Sequence, residues 1–477
     1  MPKIFSRPRL RKTDCAVLSA IALCLLRLPA AGSSAGADQT RSPYADVAER
    51  IRKAGLAEER AFEFLRRITA VGGRLTGSPE AAKAVEVTRG LMAEMGLDNI
   101  HLESVIVNRW VRGAKEEAEI APSGSKGRVP LHVCALGGSI GTPDSGITAP
   151  VVEVMSFEEL DRLGPEVRGK IVFFNRPMDR SQTEPFAAYG GAADQRVRGA
   201  VQAGRHGAVA ALVRSLTFRA DDFPHTGLMT YEQGIPRVPA AAVSTLAADA
   251  LSALLKKGGP VAVRLQMSCR SLGPVESANV VGELAGVDHP EDVVLMGGHL
   301  DSWDLGTGAH DDGAGCAVSL EAIRLIKDLG FRPKRTIRTV MFMDEEFGGT
   351  GGRFYAKDER RKHERHLLAM ESDRGGFLPV GIAAGRSEAG LLQRLRALGE
   401  LFKPLGIMSF SPGGGGVDVG PLIEQGTVPA AVIPNAQTYF DVHHSALDVL
   451  ERVHPRELEL QAVIMAILAV IVAQEGV

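Results

Sequence analysis

Apolar residues along the chain change rhythm from segment to segment, and the changes mark out its organisation. From 43 to 95 they recur at helical spacing, as Ile51, Leu56, Phe62, Leu65 and Ile68, then Ala84, Val87, Leu91 and Met95. This predicts two amphipathic helices, separated by a turn from Gly72 to Ser78, that form a scaffold without chemistry of its own. Residues 101–110 alternate and read as a strand. Between about 115 and 272 short apolar runs stand between glycine and proline turns. Strands are predicted at 151–154, 170–174 and 209–213, with a helix over 196–206 between the last two. After Glu276, strand-like and helix-like runs alternate: strands at 279–283, 293–296, 336–343, 367–370 and 430–433, helices at 315–329 and 457–473. That alternation predicts an α/β fold with a mixed, mostly parallel sheet flanked by helices. The apolar run 462–472 falls short of the roughly 20 residues that span a bilayer and reads as a packed core helix.

Length and composition narrow the classes. A chain of 477 residues has room for two domains, and 45% hydrophobic with 23% charged residues is ordinary for a soluble enzyme. The net charge is -2 without blocks of like charge, so nucleic acid has no electrostatic footing as a partner. The first 37 residues differ from the rest. Lys3, Arg7, Arg9, Arg11 and Lys12 precede an apolar run over 16–26, and Ala35-Gly36-Ala37 follows in a small-residue segment. This is the layout of a secretory signal peptide, which predicts a secreted or periplasmic protein with no stable membrane insertion after cleavage. Cys15 and Cys24 lie in that segment. Cys134, Cys269 and Cys316 remain, too few and too widely spaced for a disulfide framework. The domain reading is a signal peptide at 1–37, a first part of the catalytic domain at 38–114, an insert at 115–272 and the remaining catalytic domain at 273–477. Val167-Arg168-Gly169-Lys170-Ile171-Val172 resembles the signature of protease-associated (PA) domains, which makes the insert PA-like.

Five segments supply metal-type ligands. His299 follows the 293–296 strand, with Asp301 two residues on, and Asp311 lies in the next glycine-rich loop. Glu345 and Glu346 follow the 336–343 strand, Asp373 follows 367–370, and His444 lies in the loop after 430–433. Any one of them alone is an ordinary surface or core residue. Together, nearly all stand just past an apolar strand, where parallel strands converge on one sheet edge. Two histidines and three carboxylates form a nitrogen/oxygen set that suits zinc and, less exclusively, cobalt or manganese. Two other candidates fail on pattern. His363 and His366 sit in a charged run without HExxH spacing, and Gly413–Gly416 lacks the Lys-Ser/Thr of a phosphate loop.

The runs Gly297-Gly298-His299-Leu300-Asp301-Ser302-Trp303-Asp304, Asp311-Asp312-Gly313, Asp344-Glu345-Glu346-Phe347-Gly348-Gly349, Met370-Glu371-Ser372-Asp373 and His443-His444-Ser445 occur in this order. From about residue 40 to the end the chain resembles the M28 family of co-catalytic dizinc metallopeptidases, within it most closely the plasma glutamate carboxypeptidase (carboxypeptidase Q) branch. The resemblance implies a zinc exopeptidase-like fold, two zinc ions per chain, a peptide substrate and a homodimer. It also implies hydrolysis of dipeptides or short peptides. Asp311 would bridge the ions, His299 and Asp373 would complete one, and Glu346 and His444 the other, with Glu345 as general base. Asp301 is expected to accept the second ring N–H of His299 and fix its tautomer.

Sequence physics leaves open which glutamate faces metal and which of His443 and His444 ligates. The resemblance selects Glu346, and His444 because the family ligand precedes an Asp by four residues, here Asp448. Val449 stands where the family usually has Thr. Asp418 is expected to bind a substrate amine, and Tyr439 to make a polar contact to a reaction intermediate. Two other readings compete: a single-zinc glutaminyl cyclase-like enzyme, and a non-catalytic binding protein on a peptidase fold. The complete ligand set favours the dinuclear hydrolase over both.

Overall fold

The computed structural model describes residues 42–121 and 129–477, so the expected signal segment lies outside the described residues. At its centre the strands Arg335–Phe342, His289–His299, Arg365–Glu371 and Val428–Pro434 run parallel, side by side. Arg270–Leu284 and Asp98–Val111 extend one edge antiparallel, and Pro379–Ala384 with Ser409–Ser411 complete an eight-stranded mixed sheet on the other. Alternation along each strand divides the core between two faces. Val294, Met296, Ile337, Met341, Leu368 and Met370 pack under the helices Ala314–Asp328 and Pro455–Glu475. Val293, Leu295, Val340 and Phe342 pack under Tyr355 and Leu422 from the short helices Thr350–Lys357 and Gly420–Glu424. Burial on both faces is why these strands read as continuous apolar runs. Pro455–Glu475 has the length and mean hydropathy of a membrane span, yet lies buried in this core.

The N-terminal region forms three helices, Ala45–Glu58, Ala61–Thr69 and Pro79–Met95, where the periodicity predicted two. The apolar stripe is continuous, but Glu59 takes a left-handed conformation (φ 49°) and ends the first helix. The next begins with the Ala61 N–H donating to the buried Glu459 carboxylate at 3.1 Å. A tertiary acceptor divides a sequence that the helical period alone would continue.

Residues 116–267 build a second eight-stranded sheet, in the order Val129–Leu131, Glu116–Ile120, Ala262–Met267, Ile147–Val154, Ile171–Phe174, Ala210–Arg214, Ala240–Val243 and Val133–Ala135. The longest of its helices spans Pro185–Arg205, beyond the predicted 196–206, because Pro185 opens the first turn and the Glu184 carboxylate accepts from the Phe186 N–H. Strands of three to six residues, such as the alanine-rich Ala240–Val243, are too short to show a period in the sequence. Buried Arg112 ties the two sheets together, donating to Glu116 at 2.9 Å and to Asp304 at 2.7 Å.

Candidate metal centre

The parallel quartet delivers its chemistry at one edge. His299 is the last residue of its strand, while Glu346, Asp373 and His444 follow the C-terminal ends of three others. Asp311 lies between the two histidines, with Oδ1 3.3 Å from His299 Nε2 and Oδ2 3.2 Å from His444 Nε2. Asp373 Oδ1 is 3.6 Å from His299 Nε2, and Glu346 Oε2 is 3.2 Å from His444 Nε2. Two donor groups therefore share one carboxylate. Asp311 Oδ2 and Glu346 Oε1 are buried without a hydrogen-bond partner, an expensive arrangement unless a cation faces them. His443 also approaches Asp311 (3.6 Å) and stacks on His444 with ring centroids 3.5 Å apart. Of the two rings, only that of His444 also reaches Glu346.

Further carboxylates hold this arrangement from behind. Asp312 accepts the His299 N–H at 3.1 Å and the Gly315 N–H at 2.9 Å. A Cβ at Gly298 would collide with that carboxylate and one at Gly315 with the Ser372 carbonyl, so the glycines flanking the ligands are required by close approach. Asp448 accepts the His310 N–H at 2.7 Å and the Asp311 N–H at 3.1 Å, and burial pushes its carboxyl up to about 7. Glu371 accepts the Val419 N–H at 3.0 Å. Glu346, itself a candidate ligand, accepts the Trp303 indole N–H at 2.5 Å.

Asp301 departs from expectation. The His299 Nδ1 contact is made by the Asp301 main-chain carbonyl at 3.0 Å, and the carboxylate stands 4.0 Å away. That carboxylate accepts three successive backbone N–H groups, of Asp344 (2.8 Å), Glu345 (3.2 Å) and Glu346 (3.3 Å), and the Thr76 hydroxyl (2.6 Å). It positions the loop that carries Glu345 and Glu346, where Asp344 adopts φ 76°. The N-terminal region is likewise not chemically idle. Buried Arg74 donates to the carbonyls of Leu300 (2.6 Å), Thr307 and Gly308 (2.9 Å), bracing the loop between His299 and Asp311. An arginine inside a glycine turn was the available signal for this.

A cavity of about 280 Å³ opens on the cluster, lined by Asp311, Glu345, Glu346, Asp373, Tyr439 and His444 among others. Burial pushes the Glu345 carboxyl well above the usual range; His299 opposes the rise and Asp373 and Glu346 add to it. Tyr439 lines the cavity against Phe186 and His443. Asp418 is outside that lining, 1% exposed, and both its carboxylate oxygens lack hydrogen-bond partners. The turn into Gly420–Glu424 packs its backbone against Gly352. His363 is exposed and His366 bonds the Tyr355 hydroxyl at 2.9 Å, so neither approaches the cluster.

Comparison with known proteins bears on this geometry. The Peptidase family M28 model matches residues 279–470. Carboxypeptidase Q of Bos taurus is 38% identical over 435 residues, covering 90% of this chain and 89% of that protein. The chain belongs to peptidase family M28. The solved M28 peptidase precursor of Shewanella amazonensis SB2B is 34% identical, with a TM-score of 0.86 over 91% of this chain and 97% of its own. A zinc aminopeptidase from Bacillus subtilis, 18% identical, shares the fold at a TM-score of 0.63, over 87% of this chain and 94% of its own. This M28 peptidase is thus a carboxypeptidase Q-like metallo-exopeptidase, a hydrolase on the mixed α/β fold that the strand pattern predicted.

Proposed function

We propose that this M28 peptidase is an exported dizinc exopeptidase that hydrolyses dipeptides or short peptides. The observation that carries the reading is Asp311, shared between the His299/Asp373 and His444/Glu346 groups. His299, Asp373 and Asp311 would hold one zinc ion, and Glu346, His444 and Asp311 the other. Bound there, zinc supplies Lewis acidity that polarises a peptide carbonyl and lowers the pKa of water. Glu345, at the cavity wall with its carboxyl pushed up by burial, takes a proton from the attacking water and passes it to the leaving amine. The Thr226 carbonyl, 3.3 Å from His444 Nδ1, keeps the proton on that nitrogen and leaves Nε2 free to ligate. Tyr439 is the cavity's polar contact to the reacting carbonyl. A cavity of about 280 Å³ suits a dipeptide better than a long chain. Export is supported by the sequence of the first 37 residues, and a PA-like insert by the Val167–Val172 run that leads into the Ile171–Phe174 strand.

Metal analysis of the purified protein tests the reading. Two zinc ions per chain at full activity are expected, and one tightly bound ion would return the single-zinc alternative. Glu345→Gln is expected to lower kcat on dipeptides by about 10²–10⁴-fold while keeping both ions. Undiminished hydrolysis by that variant would remove Glu345 from catalysis.

A further inference from the structure

The two halves of the metal centre are held from different places. His299 is held within the catalytic sheet, its Nδ1 on the Asp301 carbonyl at 3.0 Å and its N–H on Asp312 at 3.1 Å. Among the described residues, no hydrogen bond or ion pair joins residues 116–267 to His299 or Asp373. The inserted sheet instead reaches His444 and Glu346. The Thr226 carbonyl takes the His444 Nδ1 proton at 3.3 Å, and the Thr226 N–H donates to the His444 carbonyl at 2.9 Å. Glu346 is reached through Trp303, whose indole N–H donates to Oε2 at 2.5 Å. Trp303 follows His299 in the catalytic chain, yet its ring lies buried in the apolar core of the second sheet with Trp110, Leu265 and Met267. The far edge of that ring rests on Gly137, where a Cβ would overlap the ring carbons. Gly137 is itself fixed within the insert, donating to the Gly227 carbonyl and accepting the Met229 N–H, both at 2.9 Å.

A glutamate carboxylate reaches a metal through rotatable bonds, and fixing its orientation before the ion arrives removes an ordering cost from binding. The indole N–H does this for Glu346 and leaves Oε1 buried without a hydrogen-bond partner, open to a cation. The ring cannot swing aside, because Gly137 closes one edge and Phe347 packs on it with centroids 5.0 Å apart. The same ring lies 5.6 Å from that of His444. We propose that Trp303 is a positioning residue through which the inserted sheet sets the affinity of the Glu346/His444 ion, while the catalytic sheet alone sets that of the His299/Asp373 ion. Occupancy of the second site is then tied to the docking of the insert, and a loosened insert leaves an enzyme with one ion. This division of control rests on the dizinc reading above.

The test is zinc bound per chain against buffered free zinc, with tryptophan emission followed in the same titration. The wild type is expected to fill in two stages. Its emission change should coincide with the stage that Glu346→Gln abolishes and Asp373→Asn retains. Trp303→Phe keeps an aromatic ring and loses the donor. It should move that stage to about 10- to 100-fold higher free zinc and leave the other in place. The emission change should vanish with it, since Trp110 is then the remaining tryptophan. Gly137→Ala should move the same stage by pressing on the indole. Phe lacks the ring atoms that the new methyl would strike, so the double variant should bind zinc as Trp303→Phe alone does. Both stages moving together in Trp303→Phe, or neither, overturns the proposal. So does Gly137→Ala with both stages at their wild-type positions, or an additive shift in the double variant. A single stage of one ion per chain in the wild type would instead sink the dizinc reading beneath it.

Discussion

Asp301 makes other contacts than its spacing suggested. The His-x-Asp spacing suggested a carboxylate on the His299 ring, but that bond goes to its own main-chain carbonyl. The carboxylate instead holds the backbone of residues 344–346, which no spacing rule reveals because the partners lie 43 to 45 positions away. Asp301→Ala should therefore disturb Glu345 and Glu346 together. The expected result is a kcat loss of about 10–100-fold with weakened zinc retention, measured as activity against free zinc concentration. A variant with normal kcat at saturating zinc would limit Asp301 to affinity. The candidate ligands were legible because nearly all follow an apolar strand. Arg74 and Glu371 were not, since backbone groups 226 and 48 positions away supply their partners.

Helix against helix, the buried pair Glu321 and Glu459 carries a pH signature. Glu459 interrupts the apolar Pro455–Glu475 helix, and Glu321 on Ala314–Asp328 is paired with Arg324 at 2.6 Å. Burial first, then Glu321, pushes the Glu459 carboxyl up to about 9. A folded-state value above the unfolded one means the native state holds a proton that the unfolded chain releases. The stability that goes with it is complete below about 4.5 and is lost as pH rises toward 9. Glu459→Gln keeps an acceptor for the Ala61 N–H and removes the titration. Its Tm relative to wild type is expected to rise steadily from pH 5 to pH 9 in thermal scans. A constant difference across that range would show that Glu459 stays ionised in the fold. The same residue explains the extra helix break: the sequence shows the amphipathic stripe, while the carboxylate that receives the Ala61 N–H comes from the far end of the chain.

Across the molecule, the second sheet and the catalytic sheet share functional parts. Arg112 bridges Glu116 and Asp304, the Thr226 N–H donates to the His444 carbonyl at 2.9 Å, and His225 Nδ1 is 2.6 Å from the His443 carbonyl. Arg112→Met leaves two carboxylates without their partner and should cost about 3–5 kcal/mol in urea unfolding. If the sheets unfold as one unit, the transition stays single and its m value is retained. A second transition in the variant would show that the insert unfolds by itself.

The sequence by itself determined the strand-and-helix alternation of the catalytic region and the candidate ligands, because both are local: an apolar run sets a strand, and the residue after it stands at the sheet edge. Tertiary structure alone decided how those residues are held. The cluster is braced by backbone groups, by Arg74 from the first turn and by loops of the second sheet, all distant in sequence. It also decided that Arg196, one arginine among many in the chain, lies in the cavity over the Tyr189 ring with no carboxylate partner among the described residues. Pairing and its absence depend on which groups meet in space, and no one-dimensional pattern records that.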